Sequence, residues 1–278
     1  VPEGHTIHRL ALDYAGAFVD GTAPRVTSPQ GKFSDAAALL TGTPLVRTEA
    51  HGKHLFLGFG PTDAPGPAHW VHIHLGLFGK VTFGAAPAPP PTDTVRLRLA
   101  NDTAYVDLRG PTTCALITDP EKQAIHDRLG PDPLRPDADP RAAYRRVSRS
   151  RTTVAALLMD QKVIAGVGNV YRAEVLFRHG IDPYRPGRSL TPAEWDAIWD
   201  DLTALMREGV RNNRIDTVRP EHTPRGDGPP APRRRPRRRG LRLPPRGPAL
   251  PPVRRPGPHR RPGRPQPLLV PDLPARPG

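Results

Sequence analysis

The sequence predicts an α+β protein: a leading helix and an N-terminal antiparallel β-sandwich, then an all-helical domain, then a disordered Pro/Arg-rich tail. Three observations carry this. Apolar residues recur at helical spacing directly after the chain start, hydrophobicity then alternates with period two through residues 45–117, and a capped amphipathic helix follows a proline-rich break.

From His5 to Asp20, the residues Ile7, Leu10, Ala11, Tyr14 and Phe18 fall on one helical face. Strands follow. "PLVRTEA" leads to "KHLFLGF", which alternates Leu55, Leu57 and Phe59, and to "WVHIHL", which alternates Val71, Ile73 and Leu75. "DTVRLRLA" sets Val95, Leu97 and Leu99 against Arg96 and Arg98, and "AYVDLR" and "CALIT" complete the set. "GPTDAPGPA" and "APAPPP" read as connecting loops. Residues 130–140, "GPDPLRPDADP", form a linker, since four prolines among acids disfavour both helix and strand. In "LTPAEWDAIWDDLTALMREGV", Thr191 is an N-cap, Pro192 occupies the first turn and Glu194 completes a capping box. The stripe Trp195, Ile198, Trp199, Leu202, Leu205 and Met206 is core packing. The expected organisation is a β-sandwich over residues 2–129, the linker 130–140, a helical domain 141–224 and a tail 225–278.

The formal charge of +14 is unevenly placed. Residues 221–278 hold 15 arginines and 3 acids, which leaves +2 for residues 1–220. Nucleic-acid binding by the body must therefore rest on local clusters rather than a global field. Arg145, Arg146, Arg149 and Arg151 are one such cluster, readable as a phosphate track or as a solvated stretch. The single cysteine, Cys114, reads as a buried thiol and excludes a disulfide framework and any cysteine-pair metal site. His5 and His8, like His72 and His74, lack a third ligand at a convincing spacing and read as surface or DNA-facing polar groups, so no metal site is expected. There is no run of 18 apolar residues and no signal-peptide layout in the first twenty residues, which points to a cytoplasmic protein.

In "IAGVGNVYRAEVLF", Gly166, Gly168 and Asn169 form a tight turn that feeds a helix. Backbone N–H groups at such a turn suit an anion such as phosphate; equally, Asn169 can be an ordinary N-cap. With "PEG" at the chain start, "HGKHLFL" some fifty residues on, and "DQKVIAGVGNVYRAEVLFRHGIDP" further along, the chain resembles the formamidopyrimidine-DNA glycosylase and endonuclease VIII family from Pro2 to about Pro224.

The resemblance implies a helix-two-turn-helix domain at 141–224 and a bifunctional base-excision enzyme, a DNA glycosylase with AP-lyase activity. It makes Pro2 the nucleophile and Glu3 the general acid and base, with Lys53 approaching the damaged sugar and phosphate. It makes Asn169, with Gly166 and Gly168, a phosphate contact, Leu77 and Phe78 the wedge that fills the gap left by a flipped base, and Arg109 an opposite-strand contact. The partner is damaged double-stranded DNA bound by a monomer near the nucleoid, with no membrane and no cofactor for the chemistry. Pro2 must be a terminal secondary amine; initiation at a GTG codon, written as Val1, followed by removal of the initiator residue supplies it.

Thr6 stands where many members have a second glutamate. "PEGH" and the absence of a Gly-Thr-Thr-rich loop in "RNNRIDTVRPEHT" favour the endonuclease VIII branch, hence oxidised pyrimidines and abasic sites. The family's structural zinc is expected on a terminal ribbon, but its cysteine ligands are absent from residues 225–278. With chosen third bases and a one-base advance, Leu250-Pro251, Val253-Arg254, Val270-Pro271 and Leu273-Pro274 can each conceal a cysteine codon at C-x2-C-x16-C-x2-C spacing. The tail is then an out-of-frame remnant of the ribbon, and the alternative function is an inactivated or non-catalytic DNA-binding protein of the same fold.

Overall fold

In a computed structural model the described residues are 2–19 and 21–215. The expectations for the tail at 225–278, and for the end of the helical domain at 216–224, lie outside them.

The chain enters helix α1 (Gly4–Phe18), whose buried Ile7, Ala11, Tyr14 and Phe18 repeat at the spacing read from the sequence. Strand β1 (Arg25–Thr27) and helix α2 (Ser34–Leu40) lead into β2 (Leu45–His51), β3 (His54–Phe59), β4 (His69–His74), β5 (Lys80–Ala85), β6 (Val95–Ala100), β7 (Ala104–Arg109) and β8 (Thr113–Ile117). Two four-stranded sheets result, in the orders β1-β6-β7-β5 and β2-β3-β4-β8, and every pairing within them is antiparallel. Their inward faces and α1 enclose one core, including Tyr14, Phe18, Leu57, Phe59, Ile73, Leu99 and Leu108.

Helix α3 (Asp119–Arg128), opened by a Thr118–Glu121 capping box, covers the outer side of β4 around Phe56, Trp70 and Ile125. Then come α4 (Pro140–Val147), α5 (Val154–Met159), α6 (Asn169–Arg178), a 3-10 turn at Gly187–Ser189, and α7 (Pro192–Asn212). Thr191 and Glu194 form the expected capping box on α7. Its stripe of Trp195, Ile198, Trp199, Leu202, Leu205 and Met206 is buried in a second core with Tyr171 and Val175. Helix α1 packs on α7, which brings the chain start to the helical part of the molecule. Among the described residues no helix is long and apolar enough to cross a membrane.

Several polar side chains read as solvent-facing are interior. Arg98 is 6% exposed: its guanidinium donates to both oxygens of Asp107, its cross-strand partner, at 2.6 and 2.8 Å. His5 is buried edge-on to the Tyr171 ring, and His8 bonds to a carboxylate of Asp132. His72 is buried too, hydrogen-bonded to His54 (2.8 Å) and stacked on Phe56, while His74 lies beside His54 with ring centroids 4.9 Å apart. His126 of α3 continues the row, bonded to His51 at 2.8 Å. Cys114 is half-buried rather than fully interior, and burial pushes its thiol up to about 12.

This histidine row carries a pH signature. Burial, reinforced by neighbouring imidazoles and by Arg128, pushes His54 down to about 3 and His72 to about 4. Burial, then His51 and Lys122, pushes His126 to about 4. The folded state thus binds fewer protons than the unfolded chain between about pH 6.5 and pH 4, so stability falls as pH falls through that window. The melting temperature should drop by about 5 °C or more between pH 7 and pH 4.5, and the drop should shrink in His72→Gln; calorimetry giving a flat Tm over this range contradicts the assignment.

Candidate active site

The site begins with a carboxylate that does not cap its own helix. Glu3 occupies the N-cap position of α1, yet makes no side-chain bond there. Instead it reaches the start of α6, 165 residues away in sequence. Oε2 accepts the N–H of Gly168 at 2.8 Å and of Tyr171 at 3.4 Å, and Oε1 accepts the N–H of Val170 at 2.7 Å. These are otherwise unpaired donors at the positive end of the helix dipole, and Glu3 is 1% exposed among them. The anion on this helix start is therefore the protein's own side chain. The N-cap is Gly168 rather than Asn169, whose exposed side chain accepts a bond from Arg172.

Glycine is needed where the two segments meet. A Cβ on Gly168 would lie 2.4 Å from Cδ of Glu3, and one on Gly4 would lie 2.8 Å from Cα of Gly166. Gly166 is in the left-handed region at φ +90 and accepts the N–H of Gly4 at 2.8 Å. Gln161 braces the loop from inside, its Oε1 accepting the N–H of Gly166 at 3.0 Å and its amide donating to the carbonyl of Val167 at 2.9 Å. The sequence reading missed Gln161, although it lies within the motif "DQKVIAGVGN".

Pro2, next to this anchor, lines a pocket of about 240 Å³ with Lys53, His74, Leu75, Gly76 and Leu77. Lys53 sits in the turn between β2 and β3, half-buried. Burial pulls its ammonium below the usual lysine range, and the charge of Glu3 opposes that pull. His74 is lowered by burial and by the Lys53 charge. The pocket thus joins Pro2, a partly desolvated amine and an imidazole. His74 was not singled out as a site residue in the sequence, because its i, i+2 spacing to His72 reveals the shared strand face but not what the face borders.

Of the other site candidates, only Leu77 lines the pocket. Leu77 and Phe78, in the turn between β4 and β5, are 67% and 87% exposed, so this apolar pair is not core. Arg109 ends β7 opposite Lys80, and its guanidinium donates to Asp107 at 2.7 Å. Gly110, at φ +57, lies against the Phe78 carbonyl, which a Cβ there would approach to 3.2 Å, so the two turns are neighbours. A larger concavity of about 690 Å³ lies elsewhere, lined by Glu49, Lys122, His126 and Asp139 among others, and contains neither Pro2 nor Lys53.

Among the described residues the zinc implied by the resemblance has no fitting ligand set. The chain contains one cysteine, half-buried in β8, and among the described residues no group of three His, Cys, Asp or Glu side chains could hold a metal ion.

A β-sandwich and a helical domain meet at the buried Glu3, beside a pocket that Pro2 and Lys53 line. Residues 1–114 match the formamidopyrimidine-DNA glycosylase N-terminal domain and residues 129–219 match the formamidopyrimidine-DNA glycosylase H2TH domain. The chain is 51% identical over 226 residues to endonuclease 8 1 of Mycobacterium tuberculosis, covering 80% of this chain and 82% of that protein. To the formamidopyrimidine-DNA glycosylase of Rhodospirillum rubrum it is 33% identical over 223 residues, covering 76% and 77%. The fold is similar to that of Lactococcus lactis Fpg in complex with DNA containing an oxidised pyrimidine, with a TM-score of 0.65, 18% identity and coverage of 78% and 83%. The chain belongs to the formamidopyrimidine-DNA glycosylase family.

The Glu3 anchor predicts the effect of a substitution that leaves Glu3 untouched. Gly168→Ala places a Cβ against the carboxylate and should destabilise the fold by about 1–3 kcal/mol. Urea unfolding measures this, and wild-type stability in that variant contradicts the close approach.

Proposed function

We propose that this chain is a bifunctional DNA glycosylase and AP lyase acting on oxidised bases, pyrimidines foremost, and on abasic sites. One observation carries the reading: Pro2 and Lys53 share a pocket, with the Glu3 carboxylate anchored next to Pro2. A proline within a chain is a tertiary amide without a basic lone pair; at a chain start it is a secondary amine able to attack C1′ of a damaged nucleotide. The resulting iminium draws electrons from the sugar, the 2′ proton becomes acidic, and the 3′ phosphate leaves by β-elimination, with δ-elimination following. Glu3 moves protons to and from the departing base and the opening sugar. Lys53, its ammonium pulled below the usual lysine range by burial, contacts the sugar and its phosphate.

The exposed Leu77 and Phe78 suit the space left by a flipped base, with Arg109 reaching the opposite strand from the neighbouring turn. Asn169 offers its exposed side chain to a phosphate, while Gly166 and Gly168 shape the helix start beneath it. The protein acts as a monomer on damaged duplex in the cytoplasm, at the nucleoid. Greater identity to endonuclease 8 1 than to the Rhodospirillum rubrum enzyme supports the pyrimidine preference. A second reading, an inactivated DNA-binding protein of the same fold, is favoured by one observation, the lack of zinc-ribbon cysteines.

Borohydride trapping on an oligonucleotide carrying an abasic site separates the two. The enzyme gives a covalent adduct on a chain whose intact mass begins at Pro2, and the adduct disappears in Pro2→Gly. Binding without adduct, or a retained residue ahead of Pro2, overturns the lyase mechanism.

A further inference from the structure

The turn glycine before Lys53 is bonded by a carboxylate that the chemistry above does not use. Asp132 lies in the linker between the sandwich and the helices and is 1% exposed. Its Oδ2 accepts the N–H of Gly52 at 2.7 Å and a bond from Nε2 of His8 at 2.8 Å, while Oδ1 accepts the N–H of Leu134 at 2.9 Å. Burial pushes this carboxyl up, but the hydrogen bond and charge of His8, with the N–H groups of Leu134 and Gly52, outweigh it and hold the group below the usual carboxylate range.

Gly52 opens the β2–β3 turn in the left-handed region at φ +59. Its other side presses on the glycine loop: a Cβ there would lie 3.0 Å from Cβ of Ala165 and 3.1 Å from the Gly166 nitrogen. The linker is tied to that same loop, with Ala165 N–H donating to the Pro131 carbonyl at 2.9 Å and Gly130 N–H to the Gln161 carbonyl at 2.8 Å. The turn that carries Lys53 is therefore clamped between a buried carboxylate and the segment that anchors Glu3.

We propose that Asp132 is a positioning residue: by holding the Gly52 N–H it sets the Lys53 ammonium in the Pro2 pocket, and through His8 it ties that setting to the helix that follows Pro2 and Glu3. The inference rests on the role given to Lys53 under Proposed function. All three partners can present a hydrogen, so the position calls for a group that only accepts. An asparagine must turn its NH₂ toward either Leu134 N–H or Gly52 N–H, and no orientation satisfies both.

The test is a double-mutant cycle on the full chain, read by single-turnover borohydride trapping on a single-stranded abasic oligonucleotide, with an NMR titration of Lys53 alongside. Asp132→Asn should slow adduct formation on the order of tenfold, but have less than about a twofold effect in a Lys53→Ala background. In the same variant the Lys53 titration should move up toward that of a solvated lysine. Equal loss in both backgrounds, or an unmoved Lys53 titration, assigns Asp132 a merely structural role and overturns the proposal. If Asp132→Asn does not fold, His8→Gln enters the same cycle under the same criteria, with a few-fold loss expected. A wild-type chain that forms no adduct, or a Lys53→Ala variant as fast as wild type, refutes the reading of the pocket itself and removes this inference with it.

Discussion

The Glu3 carboxylate on the first N–H groups of α6 is the contact on which the rest of the molecule depends. One short side chain, supplied by the residue that precedes α1, completes a helix start in the other half of the protein. Bonds of an ionised acceptor to N–H groups are among the stronger hydrogen bonds, and in a buried setting their loss leaves both the donors and the charge unsatisfied. The chain start is thereby fixed against the helical core, with α1 packed on α7 behind it. Chain starts are otherwise the part of a protein freest to fray.

That contact also explains the glycines. Gly4 has no room for a Cβ against the Gly166 backbone, Gly168 has none against the Glu3 side chain, and Gly52 meets the same loop from the sandwich. The pocket is consequently composite: Pro2 comes from the chain start, Lys53 from a hairpin turn, and His74 and Leu77 from the end of β4 and the turn beyond it. Each is a few residues from a contact that fixes its backbone.

Local periodicity and capping were legible in the sequence. The α1 stripe, the alternation along β3, β4 and β6, and the Thr191–Glu194 box all depend on neighbours within a few positions, and all are present. The motifs "PEG" and "GVGN" marked two segments for attention, but not that one binds the other. Glu3 and Gly168 are bonded across 165 positions, and no local pattern encodes such a pair. The same reasoning covers Arg98, which alternation assigned to solvent: its cross-strand partner Asp107 makes burial tolerable, and strand register is not a local property. The histidine row was hidden likewise, because the helix that covers it follows β8. The short β1, the half-exposed β5, and helices α2 and α3 were not read, their periodic signal being too brief or too polar.

The central claim is that the start of α6 is closed by Glu3 rather than open to an external anion. Native-state hydrogen exchange at the Gly168 and Val170 amides tests it most directly in the DNA-free protein. If Glu3 closes the helix, both amides exchange as slowly as the core amides of α7, with protection approaching that of global unfolding. Exchange at the rate of an exposed helix start would contradict the account.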